Sequence, residues 1–439
     1  MNKIFKAHIN IREGSYNYPG YNEEKGVNHP VLFTGMTPIK WDGTLEINTT
    51  EDDPDWYDYN EKRWANARTQ DGSYWVWIPR YAYKIESCYH TSGEDCYNLT
   101  GKEAGDIDVK FLKGTTNLTE DNTTIESTGY EAHEKDTSMH HFLHPAFQVN
   151  GEELGFWVAK FEATAAEGVA TITGECLQPD DSISKTIKIV PNVNSWRCIS
   201  IYNAYLVSLD MSNHSGVYGW LESEVKSHLI TNYEWGAVAY LSASLFGAYE
   251  EIWNNTYNQY MTGCSSTGVD GGPLSYCIPY NTLDGVKSST THNIYGVYDM
   301  SGGAWDIVMG NYNDLVGNSN FLKQKLIEDK YINKYFTENK QILNSFGMNY
   351  VEAVYGDAFF ETSYNAARYN GSSYINNNYS SWNYDQSHIP HLNQPWFYRG
   401  NRWGGRRANG IFSYSNTSGT PFEGISFRPV LMPLKHASS

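Results

Sequence analysis

The amino-acid sequence predicts an α+β fold with much of the chain in loops. Strands are indicated by "YWVWIPRYAYKIES", residues 74–87, in which aromatic and β-branched residues alternate. Two helices are indicated by N-capping residues that precede apolar residues at helical spacing. After residue 350 the chain is dense in Asn, Ser, Tyr and Gly, a composition typical of ordered loops on a scaffold.

Composition and charge exclude two classes of partner. The formal net charge of -18 argues against nucleic acid, because binding to phosphate backbones depends on clustered Lys and Arg. No run of about 20 apolar residues is present, so no membrane span is expected. The opening residues "MNKIFKAHINIREGS" lack the apolar core of a signal peptide, which predicts synthesis in the cytoplasm. An aromatic share of 15% favours a recognition surface.

The six cysteines include no Cys-x-x-Cys pair, so zinc-ribbon and thioredoxin sites are not expected. The pairs Cys88/Cys96 and Cys264/Cys277 are spaced to close loops. Because a protein made in the cytoplasm usually keeps its thiols reduced, we expect free cysteines instead.

The N-terminal part, residues 1–70, is polar and turn-rich, and we predict a leader or attachment module there. Its acidic run "TTEDDPDWYDYNEKRW", residues 49–64, lacks the ligand order of an EF-hand calcium loop and is expected to be solvated. Residues 71–435 are predicted to form the main domain.

Within the main domain, a strand is predicted in "GFWVAKFEAT", residues 155–164, and another in "ISFRPVL", residues 425–431. The first helix is predicted to begin with Ser195 as N-cap, and the second with a capping box from Thr231 to Glu234. A third helix, within residues 320–340, is predicted as an insertion.

Five segments together resemble one known family. They are the 155–164 strand, the two helices, the turn "NIYGVYDMSGGAWDIVMG" at residues 293–310, and the pair "FYRGNRW" with "ISFRPVL". In this order they resemble the formylglycine-generating-enzyme-like family. The resemblance implies a C-type-lectin-like fold, with short antiparallel strands and two main helices, and a buried Trp305 in the turn.

The resemblance also implies metal chemistry that can be checked against the residues. Family members that oxidise a sulfatase cysteine need a reactive Cys pair near the C-terminus, and no Cys follows Cys277. Other members bind iron through histidines. Pro145 interrupts the helix that His140 and His144 would need, so His133, His140, His141 and His144 are expected at the surface.

No cofactor is expected to be required, but the family resemblance implies a structural Ca²⁺ site at the central turn. Its ligands would be the carboxylates of Asp299 and Asp306 and the backbone carbonyls of Gly302 and Ala304. Such oxygen ligands suit Ca²⁺. The alternative is that Asp299 simply caps the turn.

One branch of the family comprises the variable proteins of diversity-generating retroelements. "RGNRWGGRRANGIFSYSNTSGTPFEGISFR", residues 399–428, resembles their variable segment, and we predict a binding segment over about 360–428. Arg399 and Arg428 are predicted to have structural roles. Clustered Arg, Trp and Tyr among Asn, Ser and Gly are typical of recognition surfaces. The predicted ligand-binding residues are Trp382, Tyr384, Asn401, Arg402, Trp403, Arg406, Arg407, Asn409, Ser413, Tyr414 and Asn416.

The sequence therefore predicts a non-enzymatic receptor-binding protein of a phage tail or a bacterial surface. Its partner would be a cell-surface protein or glycan, and its N-terminal region would contact other virion proteins or sister chains, with a trimer as the oligomer considered. The alternatives are a metal-dependent oxygenase of the same family and a structural decoration protein of the virion. Whether the segment is diversified stays open.

Overall fold

The computed structural model describes residues 18–89, 104–125, 140–148, 153–170, 176, 180–322, 330–336 and 354–434. Its helices are α1, α2 and α3, at Ile201–Asp210, Ser215–Tyr218 and Asn232–Ser242. The first twelve strands are β1 Tyr21–Asn22, β2 Val27–Asn28, β3 Thr37–Asp42, β4 Leu45–Asn48, β5 Asn66–Arg68, β6 Tyr74–Pro79, β7 Tyr81–Ile85, β8 Ile107–Phe111, β9 Phe142–Leu143, β10 Gly155–Ala159, β11 Thr164–Ala165 and β12 Ile187–Lys188. The others are β13 Val225–Leu229, β14 Cys264–Ser265, β15 Ile278–Pro279, β16 Trp305–Tyr312, β17 Asn333–Tyr335, β18 Arg368–Tyr369, β19 Tyr374–Ile375, β20 Trp396–Gly400, β21 Gly410–Thr417, β22 Ile425–Phe427 and β23 Pro429–Pro433.

Short strands dominate this part of the chain and helices are few, which fits a mixed, loop-rich fold. The finer assignment to a C-type-lectin-like fold stays a prediction. None of the helices in the described ranges is both long and apolar enough to cross a bilayer.

The largest sheet has seven strands in the order β13-β23-β10-β6-β5-β3-β4. The alternating aromatic strand predicted from residue 74 is its centre, where β6 pairs antiparallel with β10 and places Trp77 opposite Trp157. Both indole rings are fully buried, with centroids 5.3 Å apart. Burial of such large rings supplies much of the apolar area that stabilises the sheet.

The segment before residue 70 is not separate from this sheet. It contributes β3, β4 and β5, and β5 pairs with β6 across the predicted boundary. Trp56 and Trp64 of the acidic run are fully buried in the common core. The seven-stranded sheet thus crosses the boundary predicted at residue 70, and such tertiary pairing leaves no signal in local composition.

The two predicted helices differ in how well their starts were placed. The Thr231–Glu234 capping box is confirmed: the Thr231 side chain accepts from the Glu234 backbone, and the Glu234 side chain accepts from the Thr231 backbone. Helix α1 instead begins at Ile201, with Ser200 as N-cap. Ser195 does not cap it, because the backbone N–H groups of Ser195 and Trp196 donate to Tyr260 and Ala163, which holds this stretch outside the helix.

The second large sheet carries the candidate site. Its strand order is β17-β16-β20-β21, with β22 paired in parallel to β16. Strand β16 follows the central turn and is buried along its whole length. Strand β17, Asn333–Tyr335, pairs in parallel with β16, so this part of the predicted helical insertion is extended. Residues 323–329 and 337–353 of that region lie outside the described residues.

The expectation of free cysteines is wrong. Disulfides join Cys176 to Cys198 and Cys264 to Cys277, and Cys88 is disulfide-bonded as well. No free thiol occurs in the described part of the chain. The expectation of free thiols was based on the cell compartment in which the chain is made. Disulfide formation also requires that the fold bring two cysteines together, and the Cα atoms of Cys264 and Cys277 are 5.1 Å apart, a separation typical of disulfides.

Candidate functional site

The predicted binding residues centre on the loop between β20 and β21, residues 401–409, which we call the hairpin loop. The two strands are antiparallel, with Tyr398 opposite Ser415 and Gly400 opposite Gly410. Gly400 and Asn401 turn the chain with φ of 79° and 61°. Gly and Asn are the residues that tolerate this left-handed conformation best, so the local sequence favours the turn.

The base of the hairpin loop is closed by Asn401, which the sequence predicts to be a ligand contact, as it does Asn409. Asn401 is 4% exposed, and its side-chain amide donates to Gln386 Oε1 and to the Ala408 carbonyl, both at 3.1 Å. Its own Oδ1 accepts from the Arg402 backbone N–H at 2.8 Å. Asn409 is buried at 1% exposure. Asn401 therefore braces the loop, and neither asparagine is available to a ligand.

The central turn that precedes β16 supports the hairpin loop from beneath. The Gly302 N–H donates to the Gly400 carbonyl, and the Trp403 N–H donates to the Gly303 carbonyl, both at 2.9 Å. The Asn254 side chain adds a bond to the Arg406 carbonyl at 3.1 Å. These bonds fix the loop backbone from both ends, which reduces the conformational entropy lost when its side chains bind a partner.

Four of the predicted residues reach solvent from this fixed backbone: Arg402, Trp403, Arg406 and Arg407 are half-buried or exposed. The Arg407 guanidinium lies 3.3 Å from Glu251 Oε2, 3.6 Å from Asp270 Oδ1 and 5.3 Å from the ring centre of Tyr384. Burial raises the pKa of Glu251 to about 7, and the neighbouring Arg407 charge opposes that rise. Arg407 is thus partly engaged within the protein.

Trp403 and Arg402 lie against residues that sequence analysis did not select. The Trp403 ring contacts the Tyr260 ring edge to face, with centroids 6.3 Å apart. The Arg197 guanidinium lies over the same Tyr260 ring, with its Cζ 4.2 Å from the centroid. The Arg402 guanidinium lies 5.6 Å from the Phe422 ring centre. We call Arg197, Tyr260, Arg402, Trp403 and Phe422 the arginine–aromatic patch. No local motif could have found it, because its members are far apart in sequence.

Four further predicted contact residues are buried. Tyr414 and Ser413 are 0% exposed on β21, and Trp382 is 0% exposed with its indole N–H donated to the Cys88 carbonyl at 3.1 Å. Asn416 is 7% exposed and donates to the Ile389 carbonyl at 2.6 Å. They pack and brace β21 instead of facing a ligand. Tyr384 is half-buried and keeps its place beside Arg407.

Arg399 and Arg428 have the structural roles predicted for them. Arg399 donates to the Asn232 side chain at 2.8 Å and to the carbonyls of Ala358 and Asp357. Arg428 donates to Asp306 Oδ2 and to backbone carbonyls that include Asp299. Both guanidinium groups are fully buried and tie loops to the sheet.

The two carboxylates predicted as calcium ligands, Asp299 and Asp306, are engaged in other contacts. Asp306 Oδ2 lies 2.8 Å from Arg428 Nη2, and the Asp299 carboxylate accepts from the Gly263 N–H and from Asn255 Nδ2. Burial raises the pKa of Asp306 to about 6 although Arg428 lowers it, and burial also raises the pKa of Asp299. No group of three metal-ligating side chains occurs within the described ranges. With a guanidinium on one carboxylate and N–H donors on the other, these residues do not fit Ca²⁺.

The backbone of the central turn requires glycine at two successive positions. Gly302 and Gly303 have φ of 78° and 71°. A Cβ on Gly302 would stand 2.3 Å from the Asn255 carbonyl oxygen, and one on Gly303 2.6 Å from Glu162 Oε1. Glycine is required here by both conformation and space. Trp305, predicted to be buried, is 8% exposed and stacks on Tyr398 of β20.

The histidines considered as iron ligands are not grouped. His144, expected at the surface, is 0% exposed, and burial lowers its pKa to about 3. Its Nδ1 accepts from the Ala146 N–H at 3.2 Å, which caps a short helical turn at Pro145. His140 is exposed, and His141 contacts Asp108 at 2.9 Å. His133 lies outside the described residues.

Of two concave regions, the first lies away from the hairpin loop and the second lies beside it. One is an open cleft of about 550 Å³ lined by residues 20–25, His29, 51–54 and Tyr57, with carboxylates on both walls. The other, about 20 Å³, lies beside β21 and Glu251.

No protein-family model and no curated protein sequence matches the chain. Among solved structures the chain is similar to a Major Tropism Determinant P3c variant, with 12% identity over 93% of this chain and 75% of that chain and a TM-score of 0.25. A likeness at this TM-score carries no argument about fold or function. The resemblance to formylglycine-generating enzymes stays a prediction.

Proposed function

We propose that this protein is a non-enzymatic recognition protein that binds a receptor through the hairpin loop and the arginine–aromatic patch. The observation that carries the proposal is a rigid loop that holds Arg402, Trp403 and Arg406 at the surface. Arg and Trp dominate the energetics of many interfaces, and a fixed backbone favours tight binding. The receptor would be displayed on a target cell, and the protein itself on a phage tail or a bacterial surface.

Because several predicted contact residues are buried, the set of side chains that can contact the receptor is smaller than the sequence predicts. Of the residues expected to contact ligand, the proposal retains Tyr384, Arg402, Trp403, Arg406 and Arg407. It adds Phe422, which is 36% exposed beside Arg402, whereas Arg197 and Tyr260, 2% and 6% exposed, support the patch from within. If the segment is diversified by a retroelement, we expect natural variants to differ at positions 402, 403, 406 and 407 and to keep Asn401 and Asn409, because Asn401 bonds across the loop and Asn409 is buried at its end. Attachment through the N-terminal region, and a trimer, remain part of the proposal.

The experiment is adsorption of the fluorescently labelled full chain to a panel of bacterial strains. We expect binding to a subset of strains, and its loss in the double variant Arg402→Ala, Trp403→Ala with a melting temperature within a few degrees of the parent. Lys226→Ala, an exposed change on β13, is the matched control and should bind like the parent. Equal adsorption by the double variant would refute the assignment of the surface.

A further inference from the structure

Arg402 and Arg406 carry charge that the protein does not neutralise. Among the described residues, neither guanidinium lies within 4.0 Å of a carboxylate, whereas Arg407 in the same loop contacts both Glu251 and Asp270. The whole chain has a net charge of -18, so such a pair is unusual for its surface. An exposed arginine without an intramolecular carboxylate keeps its planar hydrogen-bonding fork free for an external one.

Arg197 adds a buried positive charge next to Tyr260, on the Arg402 side of the loop. It is 2% exposed, its Nη1 donates to the Glu423 carbonyl at 2.9 Å, and its Nε has no hydrogen-bond partner. Burial lowers the pKa of Arg197, and the Glu423 and Glu162 charges oppose this only from a distance. A buried cation that lacks a carboxylate in contact strengthens the attraction of the overlying surface for anions.

These groups converge around Gly424. A Cβ at Gly424 would lie 3.2 Å from Arg402 Cδ, 3.3 Å from the Tyr260 hydroxyl and 3.0 Å from the Phe422 ring. The Trp403 ring contacts Tyr260 from the loop side, and its Nε1 has no hydrogen-bond partner. The Arg402 fork and the Phe422 and Trp403 rings thus lie close together around Gly424.

Exposed aromatic side chains extend this surface beyond the loop. Asn401 bonds Gln386, the Gln386 amide contacts His388, and His388 stacks on Tyr374 with centroids 4.4 Å apart. Tyr374 is 37% exposed, and the neighbouring Ile375 and Tyr379 are 43% and 46% exposed. The described residues thus present two groups of solvent-accessible aromatic side chains, Phe422 with Trp403 and Tyr374 with Tyr379, and a partner that contacts both groups needs the footprint of a protein.

We propose that the receptor is a protein with an acidic contact surface, and that one of its Asp or Glu carboxylates binds between Arg402 and Arg406 beside Trp403. This inference rests on the proposed function and names the chemistry of the partner. Local charge complementarity carries it, since the unpaired guanidinium groups of Arg402 and Arg406 attract a carboxylate at contact distance, while salt screens the net charge of -18 on more distant parts of the chain. Arg407 contributes less, because Glu251 and Asp270 already engage it.

The test is selection of displayed random dodecapeptides on the immobilised full chain. We expect the recovered peptides to be enriched in Asp and Glu next to aromatic or aliphatic residues. Their affinity should fall about 10-fold or more in the variant Arg402→Glu, Arg406→Glu and should stay unchanged in Lys226→Glu. It should also weaken as salt is raised. If the charge-reversed variant does not fold, Arg402→Gln, Arg406→Gln replaces it, with a smaller expected loss.

Each other outcome is decisive. Peptides without acidic enrichment, lost in Trp403→Ala, would overturn the acidic partner and leave the recognition surface standing. Peptides that bind every variant alike would overturn both proposals. If no peptide is recovered but oligogalacturonate binds and the binding needs Arg402 and Arg406, the partner is an acidic glycan and the inference about a protein is wrong.

Discussion

Arg428 donates to Asp306 Oδ2 from both Nε, at 3.0 Å, and Nη2, at 2.8 Å, and neither side chain is exposed to solvent. The same guanidinium reaches the carbonyls of Ala159, Tyr298 and Asp299. The Arg428 side chain therefore links the segment between β22 and β23 to the central turn, to β16 and to the end of β10. Asp306, one of the two carboxylates predicted to bind Ca²⁺, thus pairs with the Arg428 guanidinium instead.

Replacing Arg428 by Met should destabilise the protein by about 3–5 kcal/mol, because the buried Asp306 carboxylate then loses its counter-charge. Urea unfolding followed by tryptophan fluorescence measures this. Arg402→Met, a change of the same chemistry at the surface, should alter the free energy of unfolding by less than about 1 kcal/mol. Similar effects of the two changes would show that the ion pair does not stabilise the turn.

Glu361 predicts a dependence of stability on pH. Its carboxylate accepts from Tyr83, Tyr240 and the Gly356 N–H, and burial raises its pKa from 4.5 to about 8. Because the folded state holds this proton more tightly than the unfolded state, stability is present below pH 4.5 and declines as pH rises toward about 8. The decline is at most about 1.4 kcal/mol per pH unit.

Glu361→Gln keeps the shape of the protonated acid and should remove this part of the decline. The comparison belongs above pH 6.5, where protonation of the buried His144, whose pKa is lowered to about 3, no longer contributes. Denaturation curves at pH 6.5 and 8.5 measure the slope, and exposed Glu222→Gln should leave it unchanged. An undiminished slope in Glu361→Gln would assign the effect to other carboxylates, among them Asp357, whose pKa burial raises to about 7.

Two glycines give a matched pair for the support of the hairpin loop. Gly302→Ala should destabilise the protein by about 1–3 kcal/mol through its left-handed backbone alone, since φ is 78°. The overlap of a Cβ with the Asn255 carbonyl adds to this loss. Gly404→Ala should be neutral, since nothing lies within 4 Å of its Cβ position. Thermal unfolding and receptor binding report both effects. Equal tolerance of the two changes would contradict the role of the central turn.

The Cys264–Cys277 disulfide closes a loop next to Gly263, whose N–H donates to Asp299. Replacing both cysteines by Ser should lower stability by about 2–4 kcal/mol, mostly through the greater freedom of the unfolded chain. Thiol titration of the denatured parent without reductant should detect no thiol from this pair. A fully reactive pair in the purified protein would contradict the bond.

How well the sequence predicted each feature depends on how local its cause is. The Thr231–Glu234 capping box lies within one helical turn, and it was found correctly. The start of α1 was misplaced because Ser195 is held by a bond to Tyr260, distant in the chain. Strands β3 to β5 were missed for the same reason, since their pairing with β6 depends on tertiary contacts.

The candidate site shows the same limit. The Arg-rich loop was recognised from composition, and its arginines do reach solvent. Asn401 and Asn409 have the side chains of paratope residues, but the Asn401 amide bonds across the loop and Asn409 is buried, and local sequence does not distinguish these uses from ligand contact. Arg197 and Tyr260 could not be selected, because nothing in their local sequence marks them as neighbours of Trp403.

The bonds between the central turn and the hairpin loop join main-chain atoms: Gly302 to Gly400, and Trp403 to Gly303. Such bonds do not depend on which side chain position 403 carries, and any residue except proline can supply the N–H. The bond from Asn254 likewise reaches a carbonyl, at position 406. Positions 402, 403 and 407 can therefore accept new side chains while the loop keeps its shape, whereas position 406, with φ of 52°, favours Gly, Asn or Asp among its replacements and disfavours β-branched residues. The protein can thus acquire a different specificity without a new fold.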